Sequence, residues 1–219
     1  YQFGGPRAST FAAWRRQGLS EEQQANWSSL VGEEGMTGIG KFYMGVHPLF
    51  EERVISEEGN LRTWVDGWGS TRQDAIVQPT AGFATRRWIE YAIKNRDDWH
   101  KVRDRLDPHA PQRTRPLTED EVTPHLGPDS YGWHPPGGSH WKDSVESCRT
   151  TDVPTRLVTT GIYWAIRDLV GMENLSVMFY DEPDLAREMF DYWAWFLMEI
   201  LDEPLQQLDV DIVMLNEDM

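Results

Sequence analysis

The stretch "LDVDIVMLNEDM", Leu208 to Met219, places two acids, Glu217 and Asp218, just past a short apolar run rich in β-branched residues, Val210 to Leu215. A run of that length reads as a buried strand. Acids beyond a strand's carboxyl end either cap the following helix or face a substrate as catalytic carboxylates. Arg7, in "GGPR", follows the strand-like "YQF". It is either a surface cation near a helix start or a group that holds an anion. Tyr163 and Trp164, in "TTGIYW", are either core aromatics with a satisfied polar tip or walls of a pocket. The loop "YGWHPPGGSHW", Tyr131 to Trp141, carries His134 and His140. Neutral imidazoles can ligate a metal or move protons near neutral pH. No cysteine or acid stands at a recognised metal spacing from them, so a Pro-Gly-rich lid is the first reading of that loop. Cys148 has no zinc-spaced partner and reads as a structural thiol.

The elements that must position these groups follow from periodicity and turn chemistry. Ser9 or Thr10 can cap a first helix containing Phe11 and Trp14, and "SEEQQ" opens a second at Ser20. From Phe42 to Tyr91, β-branched and aromatic residues alternate between "EEGN" and "DGWGS" turn clusters, which predicts an antiparallel hairpin or small meander. "NRDDWHKVRDRLDP" predicts a short helix capped by Asn95. His109 to Pro154, rich in Pro, Gly, His and Asp, predicts a long irregular excursion. "TRLVTTGIYW" reads as a strand leading to Gly161. A helix from Asp184 has apolar Leu185, Met189, Trp193, Phe196 and Ile200 on one stripe, with Pro204 expected to kink or restart it. Strand, helix, apolar strand is the pattern of a parallel βαβ unit, whose ligands lie beyond the strands' carboxyl ends. If the three strand ends belong to one barrel, Arg7, Tyr163, Trp164, Glu217 and Asp218 converge on its mouth.

Composition narrows the partners. The 219 residues carry 21 Lys and Arg against 36 Asp and Glu, a net charge of −15. Such a chain is repelled by phosphate backbones and anionic lipid, which argues against nucleic-acid and membrane-surface roles. No stretch approaches the ~18 uninterrupted apolar residues of a membrane span. One cysteine excludes an internal disulfide and fits a cytoplasmic location. The eleven tryptophans must line a core or a sizeable cavity. There is no Gly-rich phosphate loop, G-x-S-x-G elbow or HExxH. Beginning on "YQF" and ending on "NEDM", the sequence reads as cut at both ends.

The block from "TTGIYWAIRDLVGMENLSVMFYDEPDL" to "VMLNEDM" resembles the uroporphyrinogen decarboxylase superfamily, and within it the branch loosely described as corrinoid methyltransferase-like. The matching motifs are G-x-Y/F-W-x-x-R-x-x-x-G, N-L-x-x-M-x-Y-D-x-P-x-L and a strand-end x-E-D-M. "STFAAWRRQGL" is similar to the family's first helix, and "NRDDWHKVRDRLDP" to the segment after its inserted hairpin.

The resemblance implies an α/β chain forming the amino-terminal part of a (β/α)8 barrel, one incomplete domain over 1–219, with an inserted hairpin or meander at 42–91 and the irregular excursion at 109–154. It implies an enzyme acting on a small molecule. Methyl transfer would use zinc and a corrinoid carrier, with a corrinoid protein as a partner and with metal ligands outside these residues. Decarboxylation of uroporphyrinogen in porphyrin synthesis is the alternative, and needs no cofactor. Glu217 and Asp218 would orient the substrate or a metal-bound group. Arg7, Tyr163, Trp164, His134 and His140 would bind it. The decarboxylases' R-Q-A-G-R signature is replaced here by "QFGGPR", which favours methyl transfer over gripping a polycarboxylate. A non-catalytic subunit that docks a ligand through its aromatic loop is the third expectation.

Overall fold

The computed structural model describes residues 5–39, 42–77, 86–113, 115 and 140–217. "YQF", Asp218 and the loop holding His134 lie outside them. The chain divides into two compact units, one of residues 1–36 with 79–83 and one of residues 37–78 with 84–219.

In the first unit the described residues form three short helices, α1 (Ala8–Arg16), α2 (Glu21–Ala25) and α3 (Trp27–Leu30). Ser20 and Gln23 make a reciprocal capping box at the head of α2, which satisfies two amide donors that a helix start leaves unpaired. The second helix expected over this stretch is broken in two at Asn26. Phe11 and Trp14 of α1 pack on Trp27 of α3, with ring centroids 5.0–6.1 Å apart.

In the second unit, the meander expected between Phe42 and Tyr91 is a four-stranded antiparallel sheet in sequential order. Its strands are β2 (Arg53–Glu58), β3 (Leu61–Val65), β4 (Thr71–Ala75) and β5 (Arg86–Glu90). The β3–β4 turn is built on Asp66. Its carboxylate accepts the amide N–H groups of Trp68 (3.0 Å) and Ser70 (2.9 Å), and Gly69 takes the positive φ of 88° that the turn requires.

The short strand β1 (Thr37–Gly38), β6 (Thr155–Thr160) and β7 (Ile212–Asn216) form a parallel sheet in the order β1-β6-β7. Arg156 pairs with Ile212 and Thr160 with Asn216. The β6-to-β7 connection runs through α6 (Ile162–Val170), α7 (Met172–Asp181) and α8 (Pro183–Gln207). The expected parallel pair is therefore present, with three helices in its crossover. The structure is mixed α/β, with one parallel and one antiparallel sheet, and among the described residues neither sheet closes into a barrel.

The core forms where α6, α7 and α8 turn their apolar stripes inward. Leu157, Ile166, Leu169, Leu175, Met189, Trp193 and Phe196 are buried there. Trp99 and Val102 of α4 (Arg96–Arg103) join them from the other side. Gly171 links α6 to α7 at a φ of 87°, and an added Cβ would lie 2.3 Å from the Tyr91 ring, so only glycine fits.

Three expectations need correction. Pro204 does not restart the helix, since α8 runs on without a break to Gln207. It falls in the last turn, so its missing N–H removes a single helical bond. β7 is not buried: Val213 and Leu215 are 53% and 59% exposed, because among the described residues β7 has only β6 beside it. The excursion from His109 to Pro154 is not wholly irregular, since it contains 3-10 turns at Pro111–Arg113 and Trp141–Ser144 and the helix α5 (Val145–Thr150).

Candidate functional site

β6 ends at Thr160, and α6 starts after Gly161 with no side chain of its own to cap it. The cap comes from the neighbouring strand. Glu217, just past β7, accepts the amide N–H of Tyr163 on Oε1 (3.0 Å) and that of Trp164 on Oε2 (2.8 Å). A carboxylate at this place satisfies two orphan donors and complements the positive end of the helix dipole. Gly161 is required for the approach, because a Cβ there would lie 2.1 Å from the Glu217 carboxyl carbon. Glu217 thus caps a helix, though it is the helix after the adjacent strand rather than one following its own.

Beside this junction is a cleft with about 460 Å³ of atom-free space, open to solvent. Thr160, Ala165 and Asp168 line it from the end of β6 and from α6, and Trp193 from α8. Asp66, Trp68 and Ser70 of the β3–β4 turn and Trp88 of β5 line the opposite side. It therefore lies beyond the carboxyl end of a parallel strand, where α/β sheets bind ligands.

Each charged group on the cleft is held in place. Asp168 accepts the indole N–H of Trp164 (2.9 Å) and a guanidinium N–H of Arg167 (3.0 Å), and Arg167 in turn lies over the Trp164 ring. Asp66 stands 3.6 Å from Arg72. Burial pushes its carboxyl above the ordinary value, and Arg72 and the turn amides only partly oppose that. Trp88 stacks on Tyr91 at 6.4 Å. Trp193 is fully buried, and its indole N–H has no hydrogen-bond partner among the described residues.

Of the residues singled out in the sequence, the structure brings Glu217, Tyr163 and Trp164 together at the head of α6. It does so through backbone amides, and the cleft itself is lined by their neighbours Ala165 and Asp168. Arg7 belongs to the helical unit, at the N-cap of α1. Asp218 and His134 lie outside the described residues.

His140 is buried and occupied structurally. Its Nδ1 accepts the N–H of Lys142 (3.3 Å), and its Nε2 lies 3.4 Å from the Arg113 carbonyl, which selects the Nε2–H tautomer. Burial lowers its pKa and keeps the ring neutral. It is not among the residues lining the cleft.

Sequence reasoning missed Asp66, Trp68, Trp88, Asp168 and Trp193 as lining groups. The signal in "DGWGS" was read as turn chemistry alone. It also missed Arg113, whose buried guanidinium donates to the carbonyls of Tyr43 (3.0 Å), Asp107 (3.1 Å) and Arg105 (3.1 Å). It lies over the rings of Tyr43 and Phe196 as well. Burial lowers its pKa to about 10, so it remains charged at neutral pH and ties these segments together.

No family model, curated protein or solved structure matches this chain. No described helix is long and apolar enough to cross a membrane.

Proposed function

We propose that this protein is an enzyme of the uroporphyrinogen decarboxylase-like superfamily that moves a methyl group between a small substrate and a corrinoid carrier, using the cleft at the carboxyl end of β6. The observation that carries the reading is the chemistry of the lining. The eight residues around the cleft include three tryptophans and two carboxylates, and no arginine or lysine. A uroporphyrinogen-type substrate bears many carboxylates and would need several cations to hold it. A small methylated molecule suits a largely aromatic wall. The finer fold belongs to the same reading: the exposed apolar face of β7 suits a sheet that gains further parallel strands on that side and closes as a (β/α)8 barrel.

In this reading Glu217 is a positioning residue. By clamping the first turn of α6 it holds Ala165 and Asp168 against the cleft. Asp218 and His134 keep the substrate-orienting and binding roles that the resemblance implies, and the cytoplasm remains the expected location. Zinc would lower the pKa of a thiol or polarise a methyl donor or acceptor in such an enzyme. Among the described residues, however, no three His, Cys, Asp or Glu side chains cluster to hold a metal.

The test is methyl transfer from methylated donors to cob(I)alamin, followed as methylcobalamin absorbance, with uroporphyrinogen decarboxylation measured in parallel. Methylcobalamin formation supports the proposal. Porphyrinogen turnover without methyl transfer overturns it.

A further inference from the structure

α8 has two stripes. One of them, Leu185, Met189, Trp193, Phe196 and Ile200, is buried in the core. At about 100° per residue, the opposite side of the helix carries Asp191, Trp195, Met198, Asp202 and Leu205, spaced alternately by four and three. Trp195, Met198 and Leu205 on this side are 38%, 66% and 50% exposed. A solvent face of a helix is ordinarily polar, and four-three apolar spacing is what one helix presents to another. The charge on the same side has one sign. From Asp191 to Gln207 the helix carries Asp191, Glu199, Asp202 and Glu203 and neither lysine nor arginine. Glu199 meets His109 (3.5 Å), Glu203 meets Lys142 (3.2 Å), and Asp202 accepts the side-chain amide of Gln206 (3.0 Å). The stripe also lies across α8 from Trp193, which lines the cleft. Neither a ligand in the cleft nor a strand added beside β7 would cover it.

We infer that this face of α8 docks a basic amphipathic helix of a partner protein. Apolar residues of that helix at the same spacing bury Trp195, Met198 and Leu205, and flanking lysines or arginines meet Asp191, Glu199 and Asp202. Charge selects this occupant over a second copy of the chain. Two α8 helices face to face would set acid against acid, in a chain whose net charge is already −15. An anionic lipid surface is repelled for the same reason. The inference does not depend on which reaction the cleft performs.

The test titrates the full chain with a fluorescein-labelled peptide of about 18 leucines and lysines, its leucines at four-three spacing, and follows anisotropy. A peptide of the same composition with its leucines scattered around the helix, and another with glutamate in place of lysine, are titrated beside it. The striped lysine peptide is expected to bind at least roughly tenfold more tightly than either. Met198→Ser combined with Leu205→Ser should weaken it by roughly tenfold. Asp202→Asn should weaken it by about threefold, and Glu58→Gln on β2 should leave it unchanged. If the serine variant does not fold, Asp202→Lys decides, since it should weaken the lysine peptide and strengthen the glutamate one; no such exchange overturns the inference. Equal affinity for the scattered peptide, an unchanged affinity in the folded serine variant, or an equal loss in Glu58→Gln also overturns it. So does sedimentation of the chain alone as a dimer that the serine variant dissociates, which gives the face to a second copy. Binding to phosphatidylcholine vesicles that the same variant abolishes gives it to a membrane, and overturns the inference too.

Discussion

The two halves of the larger unit are held together by different physics. The β6-α6-α7-α8-β7 region buries chiefly hydrocarbon: Leu157, Ile166, Leu169, Leu175, Met189 and Phe196 belong to one apolar cluster. The meander buries charge. Arg72 and Asp74 are 1% and 2% exposed on β4, with Asp66 and Arg86 beside them. Asp74 accepts the indole N–H of Trp64 (2.7 Å) and lies 3.1 Å from Arg72 Nε, while the Arg72 guanidinium sits 4.4 Å from the Trp64 ring centroid. An apolar core loses stability in proportion to the volume removed. A buried ionic quartet depends on completeness, because each charge is tolerable only while its partners remain. The cleft lies where these two kinds of interior meet, so its tryptophans come from both and its carboxylates from the polar margin of each.

The sharpest way to break this contrast is Asp74→Ala. It strips partners from Arg72 and from the Trp64 indole, and should cost about 3–5 kcal/mol in urea unfolding. Arg72→Met combined with Asp74→Leu should cost less than Asp74→Ala alone, since one charge of each sign leaves together. A double variant less stable than the single one would show that the quartet contributes more than mutual neutralisation.

On the apolar side, Leu157→Ala should cost roughly 2–5 kcal/mol through the cavity it leaves, and no second charge-type substitution should rescue it. Gly161→Ala should cost about 1 kcal/mol by displacing the Glu217 carboxylate from the α6 amides. That cost should largely vanish in a Glu217→Ala background, where nothing occupies the space. Additive costs in that double-mutant cycle would refute the clamp.

The smallest effect is a pair of opposite pH dependences. Glu188 on α8 is pushed up by burial. The Trp99 indole (2.9 Å), Arg96 and Arg103 outweigh that and hold it below its usual 4.5. Its contribution is present above that value and is lost as pH falls through the lowered folded value. Asp66 behaves in reverse. Its raised pKa makes the folded state lose stability as pH rises from 3.8 through the folded value. Unfolding measured between about pH 3 and 6 should therefore change slope in opposite directions for Glu188→Gln and Asp66→Asn. A shift of the same sign in both variants would contradict the assignment.

Local pattern made much of the fold legible. The i, i+3, i+4 stripe of Leu185, Met189, Trp193, Phe196 and Ile200 specifies α8, and each of these residues is buried in it. Alternation with "EEGN" and "DGWGS" turns specifies the meander, and Asn95 caps α4 as its type suggests. The parallel pairing of β6 and β7 followed from the strand-helix-strand order. These signals are legible because the hydrogen bonds and burial they encode lie within a few residues of each other.

What only the tertiary structure decided is which distant groups meet. Glu217 caps α6 because parallel pairing puts Asn216 beside Thr160, a neighbourhood that no periodicity across more than fifty residues records. His140 is an acid-base candidate by type, yet docking against Arg113 and Lys142 makes it a neutral cap. Asp66 reads as a turn former in "DGWGS", and only the approach of the meander to the end of β6 turns it into a cleft wall opposite Asp168. Side-chain type sets what each group is able to do. The packing of one element on another sets the burial, the charge partners and the neighbours that choose among those possibilities.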